Sequence, residues 1–126
     1  NLQKENFMNY TLELNTQEPG SNIVFNTIVF DSFKVNIVER HAGSIRSRSK
    51  LNHVLFKVRT LDNNLIPTKD GNGRIKIKGE DFEMYQRAIQ ALSSYEYKNK
   101  LINRKEVEEN YVHFILRLVI LNYTLS

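Results

Sequence analysis

The chain has 126 residues, of which 40% are apolar and 25% charged, and it carries a formal net charge of +4. These values indicate one globular domain with enough residues to bury a core, and they exclude an intrinsically disordered chain. The sequence contains no cysteine, which excludes disulfide scaffolds, zinc–thiolate sites and thiol chemistry.

The first eight residues are expected to form a disordered leader ahead of the first strand. They hold one lysine and lack the apolar segment of a secretory signal. The longest apolar run, residues 112–121, contains Arg117 and is shorter than the roughly 20 residues that cross a bilayer. We therefore expect a single domain over residues 1–126, located in the cytoplasm or in a virion or nucleoprotein particle, with no membrane partner.

Residues 9–78 are predicted to be mainly strands, because apolar and polar residues alternate there with a period of two. Residues 22–40 form either one bent strand or two strands broken near Asp31 and Ser32. A turn is predicted at 17–22 from its Pro-Gly pair, and another at 70–73 from Asp-Gly and Asn-Gly. This region predicts an antiparallel sheet of four or five strands with one apolar face.

Residues 81–123 are predicted to be mainly helical, because the apolar period changes there. Apolar residues at helical spacing are Phe82, Tyr85, Ile89 and Leu92. They predict a helix that begins near Asp81, whose carboxylate can serve as the N-cap.

A second helix is predicted over residues 103–123. Asn103 followed by Glu106 is typical of a capping box, with asparagine in place of serine or threonine. Glu106, Asn110, His113 and Arg117 would form one polar stripe along it. A buried strand over 111–123 is the alternative, because the segment is rich in β-branched residues. The predicted fold is therefore α+β, with two C-terminal helices packed on one face of an N-terminal antiparallel sheet.

The positive charge is concentrated in the middle of the chain. Residues 34–78 contain eleven lysines and arginines against Glu39, Asp62 and Asp70, a net charge of +8. The segments before and after it carry net charges of −3 and −1. Segregation of this kind indicates a polyanionic partner more strongly than a uniformly high isoelectric point does.

Alternation within the predicted strands places many of these cations on the outer face of the sheet. The candidate nucleic-acid-binding residues on that face are Lys34, Arg40, Lys57, Arg59, Arg74, Lys76 and Lys78. The segment "RHAGSIRSRSK", residues 40–50, adds Arg46, Arg48 and Lys50 in a loop whose serines can donate hydrogen bonds to phosphate oxygens. The sequence thus predicts a DNA- or RNA-binding protein that contacts mainly the phosphate backbone.

The predicted basic face lacks aromatic residues, because Phe33 and Phe56 fall on the apolar side of their strands. Base stacking would have to come from elsewhere, such as Tyr95 and Tyr97.

No predicted helix carries the basic face of a major-groove reader. A solvated face that binds nothing is the alternative, since lysines are common on the outer side of antiparallel sheets.

No catalytic site is predicted. His41, His53 and His113 lack the spacing of metal ligands. The acidic run Glu80, Asp81 and Glu83 is better explained by the dipole of the helix that it begins. We therefore expect a non-enzymatic protein without a cofactor or metal.

The second functional hypothesis is a small structural or protein-interaction module of a virus, phage or mobile element. Its basis is the 103–123 helix, which is apolar around most of its circumference and could join a second copy or another protein. Fifteen asparagines, eleven isoleucines and ten lysines against three alanines indicate a low-GC genome, which suits such a source.

Overall fold

The computed structural model describes residues 9–16, 20–42 and 50–123. The chain divides into two compact units, one reaching to Ile77 and including the chain from Asn122 onward, the other comprising Lys78–Leu121. A five-stranded antiparallel sheet occupies the N-terminal side and is followed by helices. The predicted α+β class is therefore confirmed.

The sheet is a simple meander. Its strands are β1 (Thr11–Thr16), β2 (Ile23–Val29), β3 (Phe33–Ala42), β4 (Lys50–Thr60) and β5 (Ile75–Ile77). Each strand pairs with its neighbour in the sequence, and all pairs are antiparallel. Part of the predicted first turn, residues 17–19, lies outside the described residues.

Two strands, and not one bent strand, form residues 22–40. The backbone N–H of Phe30 donates to the carbonyl oxygen of Phe33 at 2.8 Å, and the two rings pack with centroids 4.9 Å apart. Asp31 and Ser32 occupy the exposed turn between them. The two rings pack on the buried side of the hairpin. The exposed pair Asp31 and Ser32 therefore separates β2 from β3.

One face of the sheet is buried, as the alternation predicts. Cross-strand partners share a face, so Val35 lies beside Ile28 and Val58, and Ile37 lies beside Phe56. All five of these side chains are at most 1% exposed. Their β-branched and aromatic shapes suit the pleated surface, which explains why this part of the sequence forms strands.

In the described part of the chain, three helices follow the sheet: α1 (Glu80–Ser93), α2 (Tyr95–Lys98) and α3 (Arg104–Asn122). The one-turn helix α2 was not predicted. Tyr85 and Leu92 of the predicted stripe are buried in α1, and the Tyr85 and Tyr111 hydroxyl oxygens lie 3.2 Å apart inside the second unit.

The predicted N-cap of α1 is wrong. The capping position is Gly79, which adopts a φ of +63° and makes no side-chain capping bond. Asp81 lies within the first turn, where its carboxylate accepts a hydrogen bond from Arg117 Nη2 at 3.2 Å. A glycine tolerates this left-handed conformation, so the N-cap lies two residues before the predicted Asp81.

The helical prediction for the final segment is confirmed, and the strand alternative is wrong. Asn103 caps α3, because its Oδ1 accepts a hydrogen bond from the backbone N–H of Glu106 at 3.1 Å. Seven residues of the helix are buried: Tyr111, Val112, Phe114, Ile115, Leu116, Leu118 and Val119. Glu106, Asn110 and Arg117 of the polar stripe are exposed.

The burial of Tyr123 predicts that the protein becomes less stable at alkaline pH. Its ring packs on Phe56 with centroids 6.1 Å apart, and burial raises the pKa of Tyr123 to about 12 from an ordinary 10.0. The unfolded chain loses this proton near pH 10 whereas the folded chain keeps it, so the free energy of unfolding should fall as pH rises from 10 to 12. Urea denaturation across this range should show a smaller fall for Tyr123→Phe than for the native chain. Equal falls in the two proteins would contradict the assignment.

Candidate functional site

The opposite face of the sheet, here called the open face, has no buried side chain among the residues that the strand pairing places there. It carries Ile23, Phe25, Thr27 and Val29 of β2, Lys34, Asn36, Val38 and Arg40 of β3, His53, Leu55, Lys57 and Arg59 of β4, and Lys76 of β5. The predicted face assignment of the β3 and β4 side chains is confirmed.

Cations lie toward both ends of the open face. Lys34 of β3 pairs with Arg59 of β4, and Lys57 lies two residues farther along β4. At the other end, Arg40 pairs with His53, and both side chains are exposed. Neighbouring strands are about 4.8 Å apart and alternate residues about 7 Å apart along a strand, so the cations line up at short intervals.

The remaining predicted site residues are less closely grouped. Lys76 lies on β5 opposite Leu55, at the edge of the sheet. Arg74 and Lys78 flank β5, outside the strand, and both are exposed, with Lys78 belonging to the second unit. Lys50 is exposed at the start of β4. Arg46 and Arg48 lie outside the described residues.

The strands extend farther into the predicted basic loop than expected. β3 continues to Ala42 and β4 begins at Lys50, and these two residues pair after an irregularity between Arg40 and His41. The segment joining the strands is therefore residues 43–49. Arg40 and Lys50 both belong to the sheet.

Charge on the open face is poorly neutralised. In the described ranges, no carboxylate forms a salt bridge with Lys34, Arg40, Lys57, Arg59 or Lys76. Arg59 donates instead from Nη1 to the carbonyl oxygen of Asn63 at 3.1 Å. Glu13 of β1, opposite Thr27, brings a carboxylate to the same side of the sheet, at the far edge. These cations can therefore accept an external anion without breaking an ion pair.

The prediction that this face lacks aromatics is wrong. Phe25 lies on it, 45% exposed, opposite Val38 of β3, and Val38 pairs in turn with Leu55 of β4. These three side chains, here called the apolar row, cross the open face between Lys57 on one side and Arg40 on the other. The site thus combines cations with an accessible aromatic ring.

A buried polar cluster explains why Phe25 was missed. Its neighbour Asn26 is 1% exposed and donates from Nδ2 to Glu39 Oε2 at 2.7 Å, while Glu39 Oε1 lies 3.0 Å from His41 Nε2. Asparagine is usually exposed and phenylalanine usually buried, so polarity alone assigns β2 the wrong way round. The sequence did hold an indication of the correct face: Val24 and Ile28 alternate in phase with Asn26, so all three fall on the same side of β2.

The acidic and histidine residues of the chain do not form a metal centre in the described ranges, where no group of three potential ligands is found. His41 and His53 occupy opposite faces of the sheet, since His41 contacts the buried Glu39 and His53 pairs with Arg40 on the open face. None of the described helices is long and apolar enough to span a bilayer.

Comparison with known proteins found no matching protein family, no matching curated protein and no matching solved structure.

Removing the Glu39 carboxylate should destabilise the sheet strongly. Glu39→Ala removes the carboxylate that accepts a hydrogen bond from the Asn26 amide and contacts the His41 ring, and it opens a cavity, so we expect a loss of about 3 kcal/mol in the free energy of unfolding. Asp31→Ala, which removes an exposed acid from the turn between β2 and β3, should change it by less than about 0.5 kcal/mol. Urea titrations of the two variants test this, and similar losses would contradict a structural role specific to Glu39.

Proposed function

We propose that the protein is a non-catalytic nucleic-acid-binding protein that holds the phosphate backbone on the open face of its sheet. The observation that carries this proposal is the set of cations on that face, none of which forms a salt bridge with a described acid. Their positions on strands are set by backbone hydrogen bonds, so an anion can bind without reorganising the sheet.

The dimensions of the face suit a run of phosphates. Lys34 and Arg40 lie six residues apart on β3, which corresponds to about 20 Å along the strand. B-form duplex advances about 3.4 Å along its axis per base pair, so this length corresponds to roughly six base-pair steps. Each phosphate that is neutralised releases counterions, which favours binding at low salt.

The segment between β3 and β4 extends the proposed site. Arg46 and Arg48 belong to the seven-residue segment between β3 and β4, and Lys50 begins β4. Arginine presents a planar fork of donors to phosphate. We propose that this segment contacts the backbone at the Arg40 end of the open face, in the cytoplasm or within a nucleoprotein particle.

The proposal competes with two alternatives. A merely solvated face would carry the same lysines but bind nothing. The protein-interaction module that assembles through α3 has less support, because seven apolar residues of that helix are already buried and only Ile120 and Leu121, 38% and 60% exposed, remain as large apolar surface on its described residues. The alternatives differ in their response to salt, since apolar assembly should persist where phosphate binding weakens.

Charge reversal on the open face should weaken binding. We expect Lys57→Glu with Arg59→Glu to reduce affinity for a random-sequence oligonucleotide at least tenfold at low salt, and to lower the salt slope by about 2, or about 1 for each lost contact. Fluorescence anisotropy at several salt concentrations measures both quantities. The matched control, Lys98→Glu with Lys105→Glu, makes the same change in net charge at exposed positions of the second unit. Equal effects of the two variants would indicate that only net charge matters.

Reversal within the basic segment tests its separate contribution. Arg46→Glu, Arg48→Glu and Lys50→Glu together should abolish detectable binding at physiological salt while leaving the urea midpoint nearly unchanged, because Lys50 is exposed and forms no described salt bridge. The same anisotropy titration and a denaturation curve suffice. Unchanged affinity would confine the site to the sheet itself.

A further inference from the structure

We propose that the open face selects single-stranded over duplex nucleic acid by stacking an unpaired base on the ring of Phe25. This inference rests on the proposed function and adds the class of strand and the residue that recognises it. The structural basis is the apolar row, Phe25, Val38 and Leu55, between cations of the same sheet face.

Phe25 has the placement of a stacking platform. Its backbone lies inside β2, hydrogen-bonded between β1 and β3, and pairs with Thr16 on one side and Val38 on the other. Phe25 is nevertheless 45% exposed. An aromatic ring presented from a central region of a sheet is held in position by the backbone, so stacking requires little ordering of the protein.

The neighbouring cations supply the second element of single-strand recognition. Lys57 and Arg40 lie one row away on either side of the apolar row, about 7 Å along the strands, and Lys76 continues the row at the β5 edge. Proteins that bind single strands combine a basic track for the backbone with aromatic rings for successive bases. Both elements occur here on one face.

A duplex would use only half of this arrangement. Its phosphates can meet the cations, but its bases are already stacked on each other and offer no free face to Phe25. Phosphates placed against the exposed Phe25 and the half-buried Val38 and Leu55 would lose hydration without gaining a hydrogen-bond partner. Single strands satisfy both the cations and the ring.

An apolar centre with a polar rim also occurs at protein–protein interfaces. Charge favours a nucleic acid over a second copy of the protein. The cations around the apolar row form no salt bridge with an acid in the described ranges, and in a symmetric dimer they would face the same cations of the other copy. Like charges placed opposite each other disfavour such a dimer. A polyanion is the complementary partner.

The test compares a mixed-sequence 20-nucleotide single strand with the corresponding duplex, each titrated at several salt concentrations. The native protein should bind the single strand more tightly. Phe25→Ala should lower single-strand affinity about tenfold, within the range expected for one lost stack, while duplex affinity and the salt slope stay unchanged. Phe25→Tyr should retain single-strand affinity, because it keeps the ring.

A spectroscopic measurement makes the contact directly visible. The chain contains no tryptophan, so Phe25→Trp introduces a single reporter on the open face. Its emission should be quenched by the single strand and remain unchanged with the duplex. The control Leu101→Trp, at a position 70% exposed in the second unit, should respond to neither.

The outcomes separate this inference from the proposed function. If the native protein binds single strand and duplex equally, or if Phe25→Ala binds the single strand as the native protein does, stacking is wrong while backbone binding stands. If neither nucleic acid binds at low salt, both proposals fail. If Phe25→Ala instead abolishes self-association measured by sedimentation, the apolar row is a protein interface and the inference is overturned.

Discussion

The hydrogen bond between Asn26 and Glu39, 2.7 Å long and inaccessible to water, is the interaction on which the composition of the open face depends. A strand shifted by one residue turns every side chain to the other face. β2 has apolar residues on both faces, so hydrophobic burial only weakly determines its orientation. Burying Asn26 beside Glu39 requires that orientation, because either polar group without the other would be costly to bury.

The same interaction shapes the electrostatics of the surface. Glu39 is one of only three acids between residues 34 and 78, and the sheet buries it on the face opposite the cations. Its carboxylate bonds with Asn26 and His41 and forms no described contact with Lys34 or Arg40. The open face therefore keeps its positive charge. Unpaired like charges destabilise a folded chain, and an anionic partner would relieve that cost.

Sequence patterns predicted the strands and helices correctly where apolar residues are buried and polar residues are exposed. In β3 and β4, the alternation of Val35 and Ile37 with Lys34 matches the observed faces, and the helical stripe around Tyr85 matches α1. The prediction failed where another interaction outweighed polarity. Phe25 is exposed because its neighbour Asn26 is buried by a partner thirteen residues away, and no local pattern reports such a partner.

The capping error has a similar cause. Asp81 has the residue type of an N-cap, but its carboxylate bonds to Arg117 of α3, thirty-six residues later, while Gly79 begins the helix. Both Asn26 and Asp81 therefore bond to a side chain that is distant in the sequence. Predictions of which side chains lie on the open face were therefore most accurate for cations, whose charge keeps them at the surface whatever their neighbours do.

In the proposed complex with nucleic acid, the cations and the aromatic ring on one sheet face would have different roles. Backbone attraction from the cations would act on any nucleic acid and weaken with salt. Stacking on Phe25 requires an unpaired base and depends little on salt, because it involves no counterion release. The backbone contribution is common to both ligands and cancels in the ratio of their affinities, so selectivity for single strands comes from the stack and should persist as ionic strength rises. A face with cations alone would lose affinity for both kinds of strand with little discrimination between them.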